Sequence, residues 1–139
     1  MSEGNYSLGY LLTKAARVAV HKYKKELLPQ GISPPQAGIL LVLDRQGAVS
    51  QVEIAKALYL DKANVNTMLK KIEQQKLVVV AKGSKDARQT KIALTSAGIR
   101  VVKAIKKVDI KVSQELSNYA KNSRDLQVIR QYLFNILFN

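Results

Sequence analysis

The fold is decided by a stretch in the middle of the chain, Gln51-Val-Glu-Ile-Ala-Lys-Ala-Leu58 followed by Asp61-Lys-Ala-Asn-Val-Asn66 and Met68-Leu-Lys-Lys-Ile-Glu73. Ser50, three residues before a glutamate, has the pattern of a capping box that begins a helix of about two turns. Asp61 is a favourable N-cap for a second helix. Two short helices joined by a tight turn at residues 59–60 predict a helix-turn-helix.

The second of these helices separates an apolar stripe from a polar face. The stripe consists of Val65, Met68, Leu69 and Ile72. The polar face consists of Lys62, Asn64, Asn66, Thr67 and Lys70. Such a face is also typical of an ordinary solvated helix, but its place in a helix-turn-helix favours contact with a DNA major groove. An asparagine amide can pair bidentately with adenine, and lysines suit phosphates.

A basic hairpin is predicted directly after this helix. Residues 77–81 are mostly β-branched and Lys91–Leu94 alternates polar with apolar residues, so both segments read as strands around a turn near Gly83. Arg88 between them could enter a narrow minor groove, where the negative potential is enhanced. The alternative is a loop salt bridge from Arg88 to Asp86. We expect the hairpin to form a wing beside the helix-turn-helix.

Long amphipathic helices are predicted at both ends of the chain. The first carries apolar residues from Leu8 to Leu27 at three- or four-residue spacing and ends at Pro29 and Gly31. Ser33-Pro-Pro-Gln36 then begins another helix with a capping box. Further along, Thr95 caps a helix, and Asn122 or Ser123 caps the last one. The stripe of the Thr95 helix comprises Val101, Ile105, Val108, Val112, Leu116 and Tyr119. These apolar stripes are longer than one small lobe can cover, so we expect a homodimer in which a second copy covers them.

Composition excludes several other classes of protein. The chain has 139 residues, a formal charge of +13 and no cysteine, so it favours polyanionic partners and lacks thiol chemistry. It has no export signal and no apolar run of membrane length, which predicts a cytoplasmic protein without a membrane partner. His21 is the single histidine, and no catalytic constellation or metal motif stands out. We expect neither an enzyme nor a cofactor.

The same motifs carry a resemblance to the MarR family of winged helix-turn-helix regulators, named for multiple antibiotic resistance. It is strengthened by Leu77-Val78 and by Asp86-Ala-Arg88 leading to Leu94-Thr-Ser-Ala-Gly98. The resemblance implies that the end helices interdigitate across a two-fold axis and that Asp86 positions Arg88. It also implies a small aromatic or anionic effector between the dimer helices and the DNA lobe. The tyrosines and Arg17 are candidates for its pocket, although their spacing equally suits packing.

Three positions depart from the pattern of this family. The wing has Arg88-Gln89 where many relatives carry adjacent arginines, Lys76 stands where many have glycine, and Thr67 stands where they often have arginine. Lys82, Lys85 and Lys91 could compensate for the missing arginine electrostatically. The preferred DNA sequence is therefore not transferable from a relative.

The sequence as a whole predicts an α+β fold, mostly helical, in a single domain. Residues 33–98 form the DNA-binding lobe, and residues 6–28 and 99–139 form the dimerisation helices. The expected function is repression from a palindromic site in double-stranded DNA, and the alternative is a winged-helix module that binds RNA or protein. The candidate DNA-binding residues are Gln51, Lys62, Asn64, Asn66, Thr67, Lys70, Lys85, Asp86, Arg88 and Lys91.

Overall fold

A computed structural model describes residues 2–81 and 90–139. Within this part of the chain the α-helices are α1 (Leu8–Leu27), α2 (Pro34–Gln46), α3 (Gln51–Leu58), α4 (Lys62–Gln74), α5 (Ser96–Ser117) and α6 (Ser123–Phe138). The strands are β1 (Val49–Ser50), β2 (Val78–Val80) and β3 (Lys91–Leu94). Short 3-10 turns precede and follow α1 at Glu3–Asn5 and Leu28–Gln30. The predicted α+β, mostly helical winged-helix fold is confirmed.

Side-chain caps begin the helices of the lobe where the sequence predicts them. Ser33 and Gln36 form a complete capping box at α2, and Asp61 accepts the N–H of the third residue of α4. The capping box predicted at α3 is only half formed. Ser50 Oγ accepts the N–H of Glu53, but the Glu53 carboxylate accepts the Ser50 hydroxyl instead of its backbone N–H. Ser50 is also part of β1, so its backbone belongs to the sheet.

The sheet is antiparallel in the order β1-β3-β2. Ile92 in the central strand pairs with Val49 on one side and Val80 on the other. Both strands predicted from the sequence are therefore present, as β2 and β3, whereas β1 was not predicted. A strand of two residues has no periodicity of its own, and its partner is more than 40 residues away in the chain.

One continuous core joins the helices of the lobe to the sheet. Its fully buried side chains include Leu27, Ile39, Leu40, Ile54, Val65 and Ile72. The core extends along α5 through Val102 and Ile105, so this helix is rooted in the lobe before it leaves it. Burying side chains of this size contributes roughly 1.5–3 kcal/mol each. The orientation of α4 is thereby fixed from its inner face.

A partly polar seam joins α1 to α5. Lys22 lies 3.5 Å from Glu115, and Lys111 lies 3.0 Å from Glu26. On the same pair of helices the Tyr23 hydroxyl donates to the carboxylate of Asp109. Burial, followed by this hydrogen bond and the charge of Asp109, raises the pKa of Tyr23 to about 12. The first and last thirds of the chain are thus held together by specific contacts.

Apolar faces of α1 and α6 remain uncovered in the single chain. Every residue of α6 is described and none is buried, and exposed large side chains include Ile129, Leu133, Phe134 and Phe138. A groove of about 610 Å³ runs between the helices and is lined by Leu8, Leu12, Ala19, Leu116 and Tyr132 among others. The expectation that Tyr119 continues the α5 stripe was wrong: α5 ends at Ser117, and Tyr119 is 77% exposed.

Candidate nucleic-acid interface

The outer face of α4 is the candidate DNA-reading surface. Val65, Leu69 and Ile72 are buried on the inner side of the helix. The predicted reading residues Lys62, Asn64, Asn66, Thr67 and Lys70 are all exposed on the other side. The structure therefore brings these five together on one helix, free of the core. A helix anchored by its inner face and polar on its outer face can enter a major groove without disturbing the lobe.

The turn before α4 fixes where that surface begins. Tyr59 caps α3 in a left-handed conformation, with φ 55° and ψ 40°, so the chain reverses within a few residues. The side-chain amide of Gln51 donates to the carbonyl of Lys62 at 3.2 Å. This bond joins the first turn of α3 to the first turn of α4. Gln51, predicted to bind DNA, thus also positions the start of the reading helix.

The polar residues of α4 differ in how many of their groups are free. Asn64 Nδ2 donates to Asp61 Oδ2 at 2.9 Å, and the Thr67 hydroxyl donates to the carbonyl of Ala63 at 3.0 Å. Within the described part of the chain, no side-chain hydrogen bond is found for Asn66. Its amide therefore retains the donor and acceptor that bidentate pairing with adenine requires.

A groove of about 230 Å³ lies at the junction of α4 with the sheet. It is lined by three candidate DNA-binding residues, Gln51, Asn66 and Lys70, together with Glu73 and Thr90. The latter two were not among the candidate residues. The sequence gives no sign of their role, because Thr90 lies near α4 only through the packing of β3 beside that helix. The groove borders the candidate DNA-reading surface on the side of the wing.

The wing is described only at its base. Lys91 lies on β3 and its Nζ is 3.6 Å from Glu53 Oε1, so this candidate has an ion-pair partner in the first turn of α3. An exposed pair of this kind contributes at most about 1 kcal/mol and can open to meet a phosphate. The predicted contacts of Lys85, Asp86 and Arg88 lie outside the described residues.

The residues proposed for an effector pocket are dispersed over the structure and do not form one cluster. Tyr6 stacks on Tyr10 with 5.2 Å between ring centroids, and Tyr132 lines the groove between α1 and α6. Arg17 and His21 are exposed on α1. Among the described residues, no cluster of three metal-ligating side chains occurs. Nor does any helix in the described ranges have the length and apolarity to cross a membrane.

These features define a winged helix-turn-helix protein, and comparison with known proteins agrees. Residues 30–89 match the sequence model of the MarR family. The organic hydroperoxide resistance transcriptional regulator of Bacillus subtilis is 28% identical over 131 residues, covering 94% of this chain and 86% of the relative.

Solved structures share the same fold over nearly the whole chain. MepR of Staphylococcus aureus in complex with DNA superposes with a TM-score of 0.82 and 25% identity, covering 95% of this chain and 97% of MepR. BpsR of Bordetella bronchiseptica gives a TM-score of 0.84 at 24% identity, covering 93% and 97% of the two chains. The chain is therefore similar to the MarR family of winged helix-turn-helix transcription regulators, in sequence over residues 30–89 and in fold over nearly its whole length.

Proposed function

We propose that the protein is a homodimeric repressor that binds a palindromic operator in double-stranded DNA. The observation that carries this proposal is the exposed polar face of α4, held on a buried apolar stripe inside a helix-turn-helix. Asn66 reads a base edge from this face, while Lys62 and Lys70 contact phosphates. Repression follows from occlusion of the promoter by the bound dimer.

Dimerisation is supported by the apolar faces of α1 and α6, which a second copy would cover. Two copies related by a two-fold axis present their α4 helices to successive major grooves about 34 Å apart. A truncated chain without residues 126–139 should sediment as monomers or aggregates, because the remaining face of α1 loses its cover. A stable dimer of that truncated chain would contradict the role given to α6.

Release by a small ligand is the proposed means of regulation. BpsR is regulated by 6-hydroxynicotinic acid, an aromatic acid of the class that we expect here. This chain has no cysteine, so a thiol cannot serve as its sensor. A ligand that binds better to a dimer with wrongly spaced α4 helices would lower operator occupancy by a population shift. Addition of candidate aromatic acids to a preformed protein–DNA complex tests this step.

The operator is best found by selecting bound duplexes from a random pool, which gives the half-site sequence and spacing together. On the selected site, Asn66→Ala should weaken binding by about 1–3 kcal/mol and relax the preference at one base position. Asn64 is the other asparagine that the sequence offers for base reading, so Asn64→Ala is the companion variant. Its amide already bonds to Asp61, so its substitution measures how far that bond competes with base reading.

The control for base reading is random DNA of the same length. Equal losses on the operator and on random DNA would show that the asparagine serves general affinity or the fold. Competition between duplex DNA, duplex RNA and heparin at matched salt tests the class of partner. Preference for RNA or for heparin over the selected duplex would overturn the proposed function.

A further inference from the structure

Tyr59 is an unusual residue for its position. It ends α3 with a left-handed backbone, a conformation that glycine and asparagine adopt far more readily than a bulky aromatic residue. Its side chain is 69% exposed, so packing in the core does not account for an aromatic residue here. A specific contact made by its hydroxyl accounts for the tyrosine at this position.

The Tyr59 hydroxyl donates to the backbone carbonyl of Leu137 at 2.7 Å. Leu137 lies in the last described turn of α6. The bond connects residues 78 positions apart, one in the turn of the helix-turn-helix and one in a dimer helix.

The bond between Tyr59 and Leu137 is placed where it can affect the position of α4. No side chain of the fully described helix α6 is buried within its own chain, so packing does not lock its end against the lobe. The next element after Tyr59 is the reading helix, whose N-cap Asp61 is two residues further on. A bond at Tyr59 consequently acts close to the start of α4.

We propose that Tyr59 is a positioning residue that ties the helix-turn-helix to α6 and so sets the spacing of the two α4 helices in the dimer. This inference rests on the proposed function, because spacing matters only to a dimer on two half-sites. It assigns Tyr59 no contact with a base. Its loss should affect how well both halves of a site are engaged at once, while each half is still read normally.

The test compares Tyr59→Phe with Tyr119→Phe, which removes a hydroxyl from another exposed tyrosine. Tyr59→Phe should weaken binding to the full operator by about 3- to 10-fold, the range expected for one hydrogen bond. Binding to a duplex with a single half-site should be unchanged, and operators with one base pair added or removed between half-sites should be penalised less. Tyr119→Phe should match the wild type throughout.

A second variant separates the hydroxyl from the backbone turn. Tyr59→Asn keeps a residue that tolerates the left-handed conformation but cannot reach Leu137. It should reproduce the spacing effect of Tyr59→Phe with an unchanged melting temperature. If either variant weakens the single half-site as much as the full operator, Tyr59 serves the fold of the lobe and the proposal is wrong.

A distance measurement tests the tether without DNA. Because the natural chain has no cysteine, Ala57→Cys and Gln127→Cys can carry spin labels, diluted with unlabelled protein so that each dimer holds one labelled chain. Tyr59→Phe should broaden the distance distribution between α3 and α6. An unchanged distribution would overturn the proposal, whereas failure of the wild type to bind any duplex would overturn only the proposed function.

Discussion

The hydroxyl of Thr95 donates to the carbonyl of Lys76 at 2.6 Å and accepts the N–H of Gly98 at 3.0 Å. One side chain therefore caps α5 and holds the turn that leads from α4 into β2. Lys76 has a φ of 61°, in the left-handed region. The N–H of Thr95 also donates to the carbonyl of Leu77 at 3.0 Å. The junction fixes the base of the wing against the start of α5.

Replacement of Lys76 by glycine should stabilise the protein. The side chain of Lys76 is exposed and its backbone is left-handed, so glycine removes strain at little loss of contact. We expect the free energy of unfolding to rise by up to about 1 kcal/mol, measured by urea denaturation. Lys71→Gly, in the regular backbone of α4, is the matched control and should cost about 1 kcal/mol. Equal destabilisation by both substitutions would show that the Lys76 turn is unstrained.

Gly98 should not tolerate alanine. A Cβ atom added there would clash with the carbonyl oxygen of Leu77, which is backbone and cannot rotate away. We expect Gly98→Ala to lower the free energy of unfolding by about 1–3 kcal/mol. Gly9→Ala in α1 meets no atom within 4 Å and should instead stabilise the helix by up to about 1 kcal/mol. A wild-type melting temperature for Gly98→Ala would contradict the close approach.

Tyr23 should make stability sensitive to alkaline pH. Its pKa is raised to about 12 in the folded protein from an ordinary value near 10, so the folded state holds the proton more tightly than the unfolded state. The resulting stabilisation is fully present below pH 10 and is lost as the pH rises towards 12. Denaturation of the wild type and Tyr23→Phe across this range should give a steeper decline for the wild type. Parallel curves would show that Tyr23 titrates normally.

Arg88 should contribute to the salt dependence of DNA binding. If each wing places one arginine in a minor groove, Arg88→Ala removes two cationic contacts per dimer. The slope of the logarithm of the binding constant against the logarithm of the salt concentration should become shallower by about 1.8. Arg130→Ala, which removes the same charge from α6, should leave the slope unchanged. An early-melting Arg88→Ala protein with a wild-type slope would favour the alternative, a salt bridge to Asp86.

Much of the fold could be predicted because its signals are local. Caps at Ser33, Asp61 and Thr95 depend on residues three positions apart, and the period of Val65, Leu69 and Ile72 is visible in the sequence itself. For the same reason the candidate surface on α4 could be predicted. Lys76 was noted as a departure from a frequent glycine, and its positive φ explains why glycine is favoured there.

Contacts between distant segments could not be predicted in this way. The pairing of β1 with Ile92 and the bond from Tyr59 to Leu137 join residues that share no periodic pattern. Local competition was missed as well, since the amide of Asn64 can meet either a base or its neighbour Asp61. The sequence shows which groups are polar, but only the structure shows which of them already have a partner.

The uncovered helix α6 has a consequence for how the protein responds to its own abundance. Folding of this helix would be coupled to association with the proposed second copy. The midpoint of thermal unfolding should therefore rise with protein concentration. Dilution would then lower the stability of the folded protein. A cell that lets its level fall would lose operator occupancy twice, once through fewer molecules and again because those remaining would come apart.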